Sequence, residues 1–75
     1  MKKKYYVVES KYGAMGSVSV QRRMPTYKDG IATEEIEYYT NKKEAEEMRK
    51  AFDWAKTTYE GIKNRYIYSV DFEWV

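Results

Sequence analysis

Apolar residues recur at intervals of three and four between Thr40 and Ile62, and this period predicts an amphipathic helix. The apolar stripe consists of Ala45, Met48, Phe52, Ala55, Tyr59 and Ile62. Thr40 or Asn41 is suited to cap the start, and Glu44 stands at the capping-box position relative to Asn41. Gly61 is suited to end the helix, but Ile62 keeps the period, and Asn64 is the alternative end. Because one helix cannot bury its stripe alone, the remaining chain must supply a sheet against which it packs.

Four segments have the alternation or the β-branched and aromatic content typical of strands. Residues 3–10 are apolar on both alternation phases, which indicates a central strand covered on both faces. Residues 17–24 and 31–39 alternate as half-buried strands, and residues 65–75 have the strongest alternation in the chain. The order of elements is therefore βββαβ.

The predicted fold is α+β, with residues 1–75 as a single small domain. One helix packs on one face of a four-stranded, mostly antiparallel sheet. The strand order stays open; if the fourth strand lies beside the first, the order is 4-1-2-3 and the first strand is central. Residues 11–16 predict a hairpin connection, and residues 25–30, with Pro25 and an Asp-Gly pair, predict a turn. Val18 and Val20 are expected to face the core, and Arg22, on the same phase, to reach water at the end of the sheet.

Composition narrows the chemistry, because the chain contains neither Cys nor His. It has no disulfide framework, no thiolate nucleophile and no Cys/His zinc site, so we expect no cofactor and no catalysis. The exposed carboxylates are expected to form solvated strand faces rather than an acid–base pair. Lys2 to Lys4 are not followed by an apolar run long enough for a signal peptide, which favours a cytoplasmic protein.

Charge is unevenly distributed along the chain: residues 1–30 carry a net charge of +5 and residues 31–75 a net charge of −3. One hypothesis is direct DNA or RNA binding by the basic first hairpin. Its candidate residues are Lys3, Lys4, Lys11, Arg22, Arg23 and Lys28. Over residues 5–52, the βββα layout and the helix start Thr-Asn-Lys-Lys-Glu-Ala-Glu resemble the three-stranded DNA-binding domains of phage-type integrases. That resemblance implies a sheet laid into the major groove, although the third strand here is acidic.

The preferred hypothesis is protein–protein recognition. Trp54 lies about 130° around the helix from the centre of the apolar stripe, so it is expected to face solvent or to lean over the end of the sheet. The candidate contact residues are Trp54, Glu34, Glu35, Glu37, Tyr39, Glu44, Glu46 and Glu47. Their acidity suits a basic, nucleic-acid-binding partner complex. In size, charge polarity and aromatic content the chain resembles small phage-encoded inhibitors such as anti-CRISPR proteins, which would place it in the host cytoplasm, and strand edges would permit a homodimer.

Overall fold

The computed structural model describes residues 1–12, 18–60 and 65–75, which form five strands and one helix. In chain order these are β1 (Lys3–Tyr12), β2 (Val18–Arg23), β3 (Pro25–Lys28), β4 (Ile31–Ile36), α1 (Lys42–Glu60) and β5 (Arg65–Trp74). They form a three-stranded antiparallel sheet of order β2-β1-β5 and a two-stranded antiparallel sheet of β3 and β4. The α+β class is confirmed, and the prediction of one four-stranded sheet is wrong.

The first strand is central, as its sequence predicts. β1 pairs with β5 over its whole length and with β2 in its second half. Tyr6 and Val7 point to opposite faces of the sheet, and both are buried. β2 and β5 are therefore the neighbours that the order 4-1-2-3 gives the first strand, whereas residues 25–28 and the third strand form a separate sheet.

The chain leaves the main sheet at Met24, whose N–H donates to the carbonyl of Val7 (2.8 Å). Pro25 then opens β3, a position that proline tolerates because the first residue of a strand need not donate a ladder hydrogen bond. The prediction that residues 25–30 are all turn is therefore wrong, because residues 25–28 form a strand. The turn is confined to Asp29 and Gly30, whose positive φ angles of 54° and 78° are those of a two-residue hairpin loop.

After this hairpin the chain returns to the main sheet. β4 ends at Ile36, so the predicted third strand, residues 31–39, was too long. Tyr39 instead forms an isolated antiparallel bridge with Tyr5, with backbone hydrogen bonds of 2.8 and 3.0 Å. Tyr39 therefore takes the place beside β1 that β2 leaves at Met24.

α1 lies over β5 and β1. Its start is capped by Asn41, whose side-chain Oδ1 accepts the backbone N–H of Glu44 (2.8 Å). Ala45 is fully buried, but Met48, predicted in the apolar stripe, is exposed. The helix is rotated so that Lys56 faces the sheet, with its aliphatic stem covering apolar surface.

The core is built from Val7, Met24 and Tyr68, with partly buried aromatic rings around them. Val18 and Val20 were predicted to be buried, and both are exposed. The reason is that α1 covers β5 and β1, which leaves β2 without a layer above it.

β5 forms one edge of the main sheet. Val75 exchanges both backbone hydrogen bonds with Lys2 (2.9 and 3.1 Å). Hydrogen-bonded pairs alternate along an antiparallel ladder, so the odd-numbered residues of β5 bond to β1. The backbone N–H and C=O groups of the even-numbered residues of β5 therefore point away from β1. One of these outward groups, the N–H of Phe72, donates to Oδ1 of Asp71 (2.8 Å). A neighbouring side chain thus occupies a donor on the edge that another strand would need.

Two predictions fall on residues that lie outside the described ones. Of the hairpin connection predicted at residues 11–16, residues 13–16 lie outside the described residues, and Lys11 and Tyr12 belong to β1. The predicted helix end, with Gly61, Ile62 and Asn64, also lies outside the described residues. Among the described residues, no helix has the length and apolar character needed to cross a membrane.

Candidate functional site

The outward side of α1 carries the tryptophan that the sequence singles out. Trp54 is 63% exposed, so it does not lean over the sheet into the core. At about 100° per residue, Lys43, Glu47 and Lys50 lie within about 40° of Trp54 around the helix, and all are exposed. We call these four residues the outer helix surface; it is a large indole surrounded by charges of both signs.

The acidic residues predicted to accompany Trp54 are divided among several places. Between the pairs Pro25–Ile36 and Tyr27–Ala32, one residue of β3 faces three of β4, so Glu34 and Glu35 lie in a bulge. Both are exposed. The bulge is held by hydrogen bonding at Thr33, whose hydroxyl contacts that of Thr26 and accepts the N–H of Glu35 (3.2 Å). Two carboxylates are thereby presented on the small hairpin, apart from the helix.

A second acidic pair surrounds the link between β4 and α1. Burial raises the pKa of Tyr39, and the carboxylates of Glu37 and Glu44 raise it further. The negative charges of Glu37 and Glu44 therefore both disfavour ionisation of the Tyr39 hydroxyl. Glu46, in contrast, is paired with Arg49 (2.9 Å), which leaves Glu47 as the acidic member of the outer helix surface.

The basic residues proposed for nucleic-acid binding are not on one face. Arg22 and Arg23 are adjacent in β2, so their side chains point to opposite faces of the sheet. By the same alternation Lys3 and Lys11 lie on the helix side and Lys4 on the other. Lys28 is exposed next to the turn of the small hairpin. The alternation of strand residues thus divides the charge that looks continuous in the sequence.

Arg23 belongs to a polar cluster on the face away from α1. Its guanidinium stacks 4.0 Å from the ring centroid of Tyr6 and donates to Tyr38 Oη (3.2 Å) and Glu73 Oε2 (3.3 Å). Hydrogen bonding by Tyr38, with further contributions from Arg23 and Lys4, lowers the pKa of Glu73. This cluster covers Tyr6, so the structure gives Arg23 a packing role on this face.

The structure also reveals a site that the sequence prediction missed. Glu9 points towards α1, with its side chain only 8% exposed. Its Oε1 accepts the Nε–H of Arg22 (2.9 Å), its Oε2 accepts the hydroxyl of Tyr68 (2.6 Å), and the Nζ of Lys56 lies 4.0 Å from Oε2. Arg22 is therefore not simply a strand-end cation reaching water; it pairs with a buried carboxylate directly across the sheet.

These charges line an open pocket between α1, the main sheet and β3. Its volume is about 250 Å³. The pocket, called here the Glu9 pocket, is lined by Glu9, Arg22, Met24, Tyr27, Phe52, Ala55, Lys56 and Tyr68. Phe52 stacks on Tyr68 with ring centroids 6.0 Å apart, and Tyr27 lies 6.3 Å from Phe52. The pocket thus combines an ionic group with aromatic walls.

The sequence does contain a signal for this site. Glu9 shares the alternation phase of Tyr5 and Val7, and Arg22 shares that of Val20 and Met24. Two opposite charges on the buried phases of neighbouring strands are expected to pair, since a lone buried charge is costly. Lys56 could not have been found in this way, because it lies outside the apolar stripe of the helix.

The described residues include no group of three or more acidic side chains that could hold a metal ion. No family model matches the chain, and neither a curated protein nor a solved structure matches it. Function is therefore inferred from the surfaces of the molecule itself.

Proposed function

We propose that the chain is a small, non-catalytic protein that recognises another protein through its outer helix surface. The observation that carries this proposal is the 63% exposure of Trp54 on the side of α1 opposite the core. Tryptophan is enriched among the residues that dominate binding energy, because its large ring loses much water-exposed surface in a partner's pocket. The mixed charges of Lys43, Glu47 and Lys50 would form the polar rim around this anchor.

We propose further that the partner is a basic, nucleic-acid-binding complex, which the chain inhibits in the manner of the anti-CRISPR proteins. The support is the placement of exposed carboxylates on the hairpin bulge, at Glu34 and Glu35, and at the helix start, at Glu44, with the half-buried Glu37 nearby. Separated carboxylates of this kind can contact arginines that otherwise bind phosphates. Such a partner would place the chain in the cytoplasm of a host cell.

The decisive experiment is a capture assay on host lysate with mass spectrometry of the retained proteins. Trp54→Ala should abolish retention of the partner, whereas Trp74→Ala, which removes the other exposed tryptophan, should retain it. Replacing Glu34 and Glu35 together by lysine should weaken capture at low salt and make the remaining capture less sensitive to salt if the partner surface is basic, because the attraction that salt screens is removed. Equal retention by wild type and Trp54→Ala would refute the proposed anchor.

Direct nucleic-acid binding is the second candidate, and one observation favours it. The ammonium of Lys3 lies 4.5 Å from the ring centroid of Phe72 and 5.1 Å from that of Trp74, and both rings are exposed. Exposed aromatic rings beside cations are the elements on which single-stranded bases stack. Absence of binding to mixed DNA and RNA pools at low salt would eliminate this candidate. If binding occurs, replacing Arg22 and Arg23 should reduce its salt dependence only if they contact phosphates.

A further inference from the structure

The Glu9 pocket lies on the inner side of α1, away from Trp54, so the proposed protein-binding surface does not use it. Its base is a carboxylate that is hydrogen-bonded through both oxygens, to Arg22 and Tyr68. Packing alone would place an apolar residue at this position of a central strand. A buried carboxylate held by several donors at the bottom of an open pocket is instead typical of a built polar site.

The charges of this pocket favour an anionic occupant. Arg22 and Lys56 supply two positive charges, and Glu9 supplies one negative charge, so the lining carries a net charge of +1. The donor from Arg22 to Glu9 is the Nε–H, and 53% of the arginine side chain is exposed. The paired Nη groups therefore remain accessible, and their fork matches the two oxygens of a carboxylate.

The walls favour a flat apolar body attached to that anion. Phe52 and Tyr68 are nearly parallel, at 23° between ring planes, and Tyr27 and Met24 complete the apolar lining. A cavity of about 150 Å³ is large enough to bind benzene. A pocket of about 250 Å³ can therefore take a single ring with a short charged substituent.

We propose that the Glu9 pocket binds a small aromatic carboxylate, with the ring against Phe52 and Tyr27 and the carboxylate on the Nη groups of Arg22. The ammonium of Lys56, which lies 4.0 Å from Glu9, adds positive potential at the same end. Glu9 then has two roles: it orients Arg22 through the Nε–H, and its negative charge limits how tightly an anion binds.

The test is a titration followed by two-dimensional amide NMR, with benzoate as the probe. Benzamide is the neutral isostere, acetate carries the charge without the ring, and benzamidine carries the opposite charge. Benzoate should give saturable shifts at residues lining the pocket and should bind more tightly than each of the other three. Trp54→Ala, on the opposite side of the helix, should bind benzoate like the wild type.

Three variants decide the roles of the charges. Arg22→Gln should weaken benzoate binding by at least about tenfold, because a charge-assisted hydrogen bond is lost. Lys56→Met keeps the apolar stem, so it should weaken benzoate binding less than Arg22→Gln does and should leave benzamide binding unchanged. Glu9→Gln should tighten benzoate binding, since it removes the negative charge that Glu9 contributes to the described lining of the pocket.

Several results would overturn the proposal. These are equal affinity for benzamide and benzoate, tighter binding of benzamidine that is lost in Glu9→Gln, and no saturable shifts with any probe. Circular dichroism and the dispersion of the NMR spectrum check that each variant is folded. If a charge variant does not fold, the comparison of benzoate with benzamide, acetate and benzamidine on the wild type still tests the proposal, because it needs no substitution.

Discussion

The hydrogen bond from Tyr68 to Glu9 offers the sharpest test of how the inner face of the sheet is held. Tyr68 is 6% exposed, and its hydroxyl lies 2.6 Å from Oε2 of a carboxylate that is itself buried. Tyr68→Phe removes the hydroxyl alone and keeps the ring that stacks on Phe52. The variant therefore leaves a buried carboxylate with one donor fewer and changes little else.

A hydrogen bond to a charged group contributes about 1.5–3 kcal/mol to stability. Arg22 is partly exposed, so it compensates little for the missing donor, and the loss should stay within this range. Water can enter the open pocket and hydrogen-bond to Glu9, so we expect a loss near the lower end of the range, about 1.5–2 kcal/mol. A domain of this size has a free energy of unfolding of about 4–11 kcal/mol. At about 4–8 °C per kcal/mol, Tm should fall by about 6–16 °C.

Urea unfolding followed by circular dichroism measures this difference, and an unchanged m-value would show that the same surface is exposed on unfolding. Tyr27→Phe is the matched control, because it removes the hydroxyl of a half-exposed tyrosine and should cost less than about 0.5 kcal/mol. In a Glu9→Gln background the effect of Tyr68→Phe should shrink, because the acceptor is no longer charged. Equal stability of Tyr68→Phe and the wild type would refute the idea that this bond holds Glu9 in the fold.

Three further predictions concern other parts of the molecule. Trp54→Ala should change the free energy of unfolding by less than about 0.5 kcal/mol, whereas Phe52→Ala should lower it by about 2–4 kcal/mol in the same urea experiment. Hydrogen bonding by Tyr38 lowers the pKa of Glu73 in the folded state. The ionised Glu73 therefore stabilises the fold above its unfolded-state pKa, and this stabilisation disappears as pH falls through its folded-state pKa. Between about pH 5 and pH 3, the wild type should therefore lose more stability than Glu73→Gln does, and parallel curves would contradict this. Asp71→Ala exposes a backbone N–H on the edge of β5 and should increase self-association in sedimentation velocity, while unchanged sedimentation would show that this edge is not blocked by Asp71.

Local pattern was enough to predict the parts of the fold that depend on neighbouring residues. The cap at Asn41 and the Asp-Gly turn each follow from residues within one or two turns of chain. For Trp54, helical geometry left two positions open, and the structure shows the one that faces solvent. The central place of β1 also followed, because apolar residues on both phases require cover on both faces.

The second sheet could not be predicted in the same way. Pro25 was interpreted as part of a turn, yet a proline that opens a strand satisfies the same constraint on its missing N–H. Which residues pair with β1 depends on the exit of β2 at Met24 and the return of the chain at Tyr39, and these contacts span more than ten residues. Alternation specifies the two faces of a strand but not its neighbours.

The candidate site was only partly predictable for a related reason. The outer helix surface follows from helical geometry, whereas the Glu9 pocket needs the register of β1 against β2 and the rotation of α1. That rotation brings Lys56 inward and turns Met48 outward, against the apolar stripe of the helix. The inward Lys56 places a further positive charge 4.0 Å from Oε2 of Glu9, and a buried carboxylate is less costly when cations and hydrogen-bond donors surround it.

The pairing of β1 with β5 also determines when this domain can become stable during folding. Every contact in that ladder joins residues on the order of 50 to 70 positions apart, and it supplies one whole side of the central strand. The β1–β2 hairpin and α1 can form early from local contacts, but neither buries Val7 and Tyr68 together. We therefore expect a late, highly cooperative closing step in which β5 docks, so that core substitutions in β5 slow folding while changes in the β3–β4 hairpin mainly affect unfolding.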